Sequence, residues 1–426
     1  MRNSVGRFGL AGVGLLPALA MANESVLDTG DTAWVLTATA LVLMMTIPGL
    51  ALFYAGMVRK KNILSTMMHS LGAAAVVSIV WVAAGYSLAF SEGAMNTFVG
   101  GLDYVMLHNI GLDELDGSIP KLLTVIFQLT FAVIAMAILA GSLAERIKFG
   151  SFMVFAAAWT LLVYVPVCHW VWGGGWLTGD ALDFAGGTVV HINAGVGGLV
   201  LAYLLGSRRD YGKGNLAPAN LALTLIGTGL IWVGWFGFNG GSALGANGNA
   251  VMALITTQAA AAVGAIAWLM AEYAKRGKAS ALGGASGAVA GLVGITPAAG
   301  FVDVSGAMAI GVLTSLGCFV MIYYAKKRLR VDDALDAFGL HGVGGIIGAV
   351  LTGVFVSPTL YPEIADVSLL KQLWLQVEGM IATLVYGGVM TFVIGIIIKK
   401  TMGLRVDAEE EYQGLDLAIH GEKIAD

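Results

Sequence analysis

The feature that most constrains this chain is a series of apolar runs, each long enough to cross a lipid bilayer. They recur at roughly 32–57, 65–90, 122–143, 151–167, 188–205, 221–238, 250–274, 281–296, 304–324, 338–356 and 374–398. A helix needs ~20 apolar residues to span the hydrocarbon layer, so the chain reads as about eleven membrane helices. Helices satisfy their own backbone groups where no water is present to do so. Composition agrees, with 12% charged residues against ~25% in a soluble domain. The 60 glycines suit helices that approach closely without a hydrophobic force between them. The expected fold class is an all-α polytopic membrane protein.

Basic residues orient the spans. Arg59, Lys60 and Lys61 follow the first; Arg146 and Lys148 the third; Arg208, Arg209 and Lys213 the fifth. Lys275, Arg276 and Lys278 follow the seventh, Lys326, Lys327, Arg328 and Arg330 the ninth, and Lys399, Lys400 and Arg405 the eleventh. The intervening loops contribute only Lys121 and Lys371. Cytoplasmic loops collect Lys and Arg, which places the N-terminus outside and the C-terminus in the cytoplasm. The first residues lead to the same orientation. Arg2 and Arg7 precede a short apolar run and the sequence AMA at 20–22, the layout of a cleaved signal peptide. The expected organisation is therefore a signal peptide over 1–22, a membrane domain over 23–402 and a cytoplasmic tail over 403–426, in the inner (plasma) membrane.

Several chemistries are missing. Cys168 and Cys318 lie in apolar runs and do not suggest a disulfide framework. Neither a phosphate-binding Gly-x4-Gly-Lys-Ser/Thr loop nor a His-Glu-x-x-His motif occurs. ATP hydrolysis and zinc-hydrolase chemistry are not expected, and no cofactor is implied.

An internal repeat points to the functional centre. Asp183 and His191, eight residues apart, open the fifth span; Asp333 and His341, with the same spacing, open the tenth, 150 positions later. Glycine-rich sequence follows each histidine. Five spans separate the copies, so the second enters the membrane from the opposite face. This is a five-plus-five inverted repeat, whose halves usually meet at a midplane site. Ionisable groups inside a membrane are functional candidates by default, and equivalence in two inverted halves singles out His191 and His341. His69 and His169, near helix ends, read as structural, and His108 and His420 as solvated. Two imidazoles do not complete a zinc site, so no metal is expected.

The motifs TIPGLALFYAG, GSLAERI, HWVWGGGWL, ALDFAGGTVVHINAG, GWFGFNGGSA, SGAVAGLVGITPA and RVDDALDAFGLHGVGG closely resemble those of the ammonium transporter family. The likeness runs from about Asp31 through GLDLAIHGE in the tail, and the chain looks most like the bacterial branch with a cleaved signal peptide. The resemblance implies a homotrimer with a pore in each subunit, and His191 and His341 as the pore's twin histidines. It implies an outer ammonium-binding pocket of Phe127, Phe131, Trp172 and Ser242, and a hydrophobic gate of Phe131 stacked on Phe238. Asp183 would organise the site, and Trp235 would form pore wall. Asp333, the repeat partner of Asp183, is expected to give matching support. The resemblance further implies an ordered tail that helps dock a PII-type signalling protein, and methylammonium as a second substrate. Glu145 and Arg146 read as packing and salt bridging at the cytoplasmic end. Two other classes stand beside transport. One is an ammonium sensor signalling through a bound cytoplasmic partner. The other is an intramembrane enzyme, which would need a nucleophile or metal beside the histidines.

Overall fold

The computed structural model describes residues 26–424 apart from 213 and 215; the expected signal peptide and Lys213 lie outside the described residues, as does the side chain of residue 327. Ten described helices are long and apolar enough to cross a membrane. They are α1 (Thr29–Met57), α2 (Lys60–Phe90), α3 (Lys121–Leu143), α4 (Phe149–Trp172), α5 (Gly187–Leu205), α6 (Leu221–Gly240), α7 (Gly248–Arg276), α9 (Val304–Ala325), α10 (Phe338–Phe355) and α11 (Leu369–Thr401). The eighth expected span is shorter: α8 covers Ala281–Ile295. At 1.5 Å per residue its 15 residues reach only ~22 Å. Pro297 prevents its continuation, and a buried turn over 296–300 extends the crossing. Irregular backbone is tolerated at that depth because protein, not lipid, surrounds it.

The repeat is visible in how α5 and α10 meet. They run in opposite senses, and the first turn of each packs on the body of the other. A Cβ on Gly195 would lie 2.4 Å from the Gly342 backbone, so only glycine permits this crossing. Several helices contain one wide π turn. Three of these turns, at 187–192, 236–240 and 338–342, carry His191, Phe238 and His341. A π turn adds a residue and re-aims the side chains around it, which is why such turns gather at functional sites.

On the side where α1, α3 and α5 end, called here the tail side, the chain past α11 folds back as α12 (Ala408–Gln413) and α13 (Leu415–His420). Asp416 accepts hydrogen bonds from the Leu64 and Ser65 backbone N–H groups at 3.1 and 2.8 Å. Asn62 accepts from the Leu415 N–H at 2.9 Å, and Val406 N–H donates to the Arg146 carbonyl at 3.1 Å. Glu145 and Arg146 anchor an ion network beneath the helices. Arg59 and Arg208 donate to the Glu145 carboxylate at 3.1 and 3.2 Å, and Arg208 also grips Asp332 at 2.8 Å. Burial alone would raise the Glu145 carboxyl, but the hydrogen bonds and charges of Arg59 and Arg208 outweigh it and hold the group below its usual range. Arg146 spends its donors on the carbonyls of Gly206, Ala144 and Asp332. Both residues therefore fasten helix ends. His420 departs from the solvated role expected of it: it is half-buried and sits edge-on to Phe149, ring centroids 5.2 Å apart. The tail's polar composition hides this docking, which tertiary packing creates.

Candidate conduction site

Two buried aspartates set the ends of the site. Asp183, just before α5, accepts from the backbone N–H groups of Gly186, Gly187, Thr188 and Val189 at 2.6–3.0 Å. Asp333, before α10, accepts from Ala337, Phe338 and Gly339 at 2.9–3.3 Å and from the Ser142 hydroxyl at 2.7 Å. The first N–H groups of a helix have no partner within it, and a carboxylate suits that positive end. Asp183 is thus spent on backbone, and Asp333 on backbone and the Ser142 hydroxyl. Each fixes the start of a helix that carries a histidine two turns further in.

Those histidines meet. Nδ1 of His191 lies 3.2 Å from Nδ1 of His341, with ring centroids 5.2 Å apart. They are 0% and 2% exposed. One ring must donate and the other accept, since a neutral imidazole offers one of each. Trp235 stacks on His191 at 5.3 Å and donates its indole N–H to the Thr296 hydroxyl at 2.9 Å. That bond fixes the plane against which the imidazole lies. Nε2 of His191 is buried without a partner among the described residues.

Phe238 touches His191 on one side, at 5.8 Å between centroids, and stacks on Phe131 at 4.3 Å and 18°. Phe131 in turn borders a cavity of roughly 520 Å³ on the side opposite the tail. Trp172 and Ser242 line the same cavity. Trp172 meets Phe131 edge-to-face at 5.9 Å, its indole held by the Asp183 carbonyl at 2.8 Å. The Ser242 hydroxyl donates to the Phe238 carbonyl at 2.8 Å, which leaves its oxygen lone pairs to receive a donor. Phe127 lies one turn back, 1% exposed and packed edge-on against Phe131 at 5.0 Å. It supports the cavity wall without lining it. Below His341 the space narrows to about 10 Å³ among Leu50, Phe53, Ile134, Ile138 and Val289.

The order from cavity to aromatic stack to histidine pair to apolar throat can be followed by contact alone. The sequence profile described as the Ammonium Transporter Family matches residues 33–424. The chain belongs to the ammonium transporter family. An ammonium transporter of Aquifex aeolicus is 48% identical over 414 residues, covering 96% of each chain. One of Bacillus subtilis is 49% identical over 403 residues, covering 93% of this chain and 98% of that one. Among solved structures, Saccharomyces cerevisiae Mep2 matches with a TM-score of 0.83 at 37% identity, over 90% of this chain and 88% of that one. A structure described as a sensor Amt protein matches with a TM-score of 0.86 at 31% identity, over 92% and 98%.

As a member of this family the chain is a transport protein and not an enzyme. The remaining histidines lie apart from the pair. His169 faces the carbonyls of Ala89 and Asn96 at 2.8 and 2.6 Å and ties α4 to the end of α2 and the loop that follows it. His69 is buried against Phe152, and His108 is exposed. Sequence reasoning misses most of the cavity wall beyond Phe131, Trp172 and Ser242, including the polar residues Asp116, Lys121, Thr124 and Gln128. The available signal is their placement. Thr124, Gln128 and Phe131 follow the i, i+4, i+7 stripe of one helix face, and few other polar residues interrupt that apolar run.

Proposed function

We propose that this transporter takes ammonium at the cavity mouth, removes its proton, and passes ammonia through the throat while the histidine pair carries the proton. The observation that carries this reading is the 3.2 Å contact between His191 and His341, directly behind the stacked phenylalanines. Transferring a bare ion into a low-dielectric interior costs tens of kcal/mol by Born estimates, against a few for an uncharged polar molecule. At the mouth, Trp172 offers a cation–π face, worth ~0.5–2 kcal/mol, and Ser242 an acceptor oxygen. Potassium uses the first but cannot donate to the second, which favours ammonium. The throat is too narrow and apolar for a hydrated ion. A proton taken up at Nε2 of one imidazole leaves from Nδ1 to its neighbour, and the second ring releases its own Nε2 proton onward.

In this reading the basic tail side is cytoplasmic, by the distribution of Lys and Arg, and the cavity opens outward from the inner membrane. The subunit assembles as a homotrimer with one pore per copy. Methylammonium is a second substrate, and a PII-type protein docks on the tail side. The test is an ammonium pulse applied to proteoliposomes of purified protein: an inward current is expected, and silence with no ammonia flux overturns transport. A second reading, an ammonium sensor acting through a bound cytoplasmic partner, draws on the likeness to the sensor Amt protein. A sensor that does not conduct gives no current in the same experiment.

A further inference from the structure

The mouth cavity is larger than one ion needs. A water takes ~30 Å³ of liquid, so roughly 520 Å³ holds an ammonium ion with on the order of ten waters. Its upper wall also carries polar groups that the pocket at Trp172 does not use. Thr124 is only 4% exposed, and its hydroxyl has no partner among the described residues. The side-chain oxygen of Gln128, one turn further in, is likewise buried and unpaired among them. Both line the cavity. Seven residues separate Thr124 from Phe131, which places it ~10 Å further out along α3 at 1.5 Å per residue.

Charge adds to this. Asp116, on the hairpin strand Leu115–Asp116, borders the cavity and has no ion pair among the described residues. Lys121 borders it too, but its ammonium group is occupied. Glu114 accepts from it at 2.7 Å and the Tyr104 hydroxyl at 2.6 Å, with the Tyr104 ring centroid 4.1 Å away. Glu114 balances that positive charge and leaves the Asp116 carboxylate as the uncompensated one. The clamp on Lys121 also shows this wall holding an alkylammonium with a carboxylate, a hydroxyl and an aromatic face.

We propose that Asp116, Thr124 and Gln128 form a second cation position in the mouth, outward of Trp172 and Ser242, where ammonium arrives still hydrated. The proposal rests on the transport reading above and deepens it. Oxygen acceptors and a carboxylate hold any small monovalent cation, so this position concentrates ions without choosing among them. Choice comes one step further in, where waters are lost to the Trp172 face and the Ser242 oxygen. Recruitment is then split into an electrostatic stage and a selective stage.

The test is ammonium-evoked current in proteoliposomes, measured against ammonium concentration at ~0.01 M and ~1 M ionic strength, where the Debye length falls from ~30 to ~3 Å. Asp116→Asn should raise the half-saturating concentration about threefold at low salt, the effect of one unit charge acting through a wet vestibule. That difference should vanish at high salt, with the maximal current unchanged and Asp116→Glu restoring the parental curve. Thr124→Val should raise half-saturation at both salts and leave the preference for ammonium over potassium as it was. Parental half-saturation and salt dependence in Asp116→Asn and Thr124→Val, with the parent conducting, would overturn the outer position alone. A parent that shows neither current nor ammonia flux would overturn the transport reading and this proposal together.

Discussion

The mouth and the throat are neighbours along α3 and α6, yet they are built on opposite principles. The mouth is roomy and holds oxygen acceptors, a carboxylate and aromatic faces. The throat, past Phe131 and Phe238, has about 10 Å³ of space among Leu50, Phe53, Ile134, Ile138 and Val289, with His341 the one ionisable side chain lining it. An ammonium ion is stabilised where water and acceptors remain, and an uncharged molecule is the cheaper passenger where they do not. In the proposed reading, recognition and conduction act on two protonation states of one substrate. Changes in the mouth should therefore tune affinity and selectivity, and changes at the histidines should decide whether charge crosses at all.

The largest effect should come from His341→Ala. It removes one ring of the pair and breaks the Nδ1 contact while leaving the mouth intact. Ammonium-evoked current in proteoliposomes should be abolished, even if some ammonia still passes. Parental current in a folded protein would sink the relay, and His191 would revert to a polar wall group packed on Trp235.

The next effect tests what holds the histidines in register. Asp183→Ala strips the acceptor from four buried N–H groups, and each orphaned donor costs ~1–3 kcal/mol. Detergent-solubilised protein should melt well below the parent and give little current per molecule. Asp183→Asn keeps one carbonyl oxygen and should fall between. If Asp183→Ala melts with the parent, the first turn of α5 is held by something other than this cap.

Much of that arrangement is legible in the sequence, for a physical reason. The halves of an inverted repeat usually meet at a midplane site, so Asp183 with His191 and Asp333 with His341 point to the central site without coordinates. Apolar length and basic flanks announce the spans in the same way. What stays hidden depends on packing. The run at 281–296 already reads as short and stops before Pro297, in agreement with α8 ending at Ile295; only the structure shows the buried turn over 296–300 that completes the passage. Thr124 and Gln128 look like tolerated polar positions, because an exposed hydroxyl and one aimed into a cavity have the same sequence. His420 looks solvated until α13 docks it against Phe149.

A smaller effect is expected at the mouth. Trp172→Leu keeps apolar bulk but removes the best cation–π face, worth ~0.5–2 kcal/mol. Uptake competition should show weaker discrimination among ammonium, methylammonium and alkali cations, with current still present. Unchanged competition for every cation would place recognition elsewhere in the cavity. Abolished current would mean that mouth and throat are not separable.

The smallest effect on permeation should come from the tail, which touches neither region. Deleting residues from Val406 onward removes the Asp416 acceptor from the Leu64 and Ser65 N–H groups and the Glu411 partner of Arg405. It leaves Arg59, Glu145, Arg208 and Asp332 paired beneath the helices. The start of α2 loses a cap, so the population of well-packed subunits should fall and maximal current with it. Half-saturation and ion preference should hold, since the walls around Trp172 and His191 are untouched. Binding of a PII-type protein should weaken in a pull-down, because the acidic segment beyond Arg405 is part of the surface proposed for it. Unchanged capture would move that docking site to the basic loops alone. A shift in ion preference would show the tail acting on the mouth through α2, whose Tyr86 and Phe90 line the cavity.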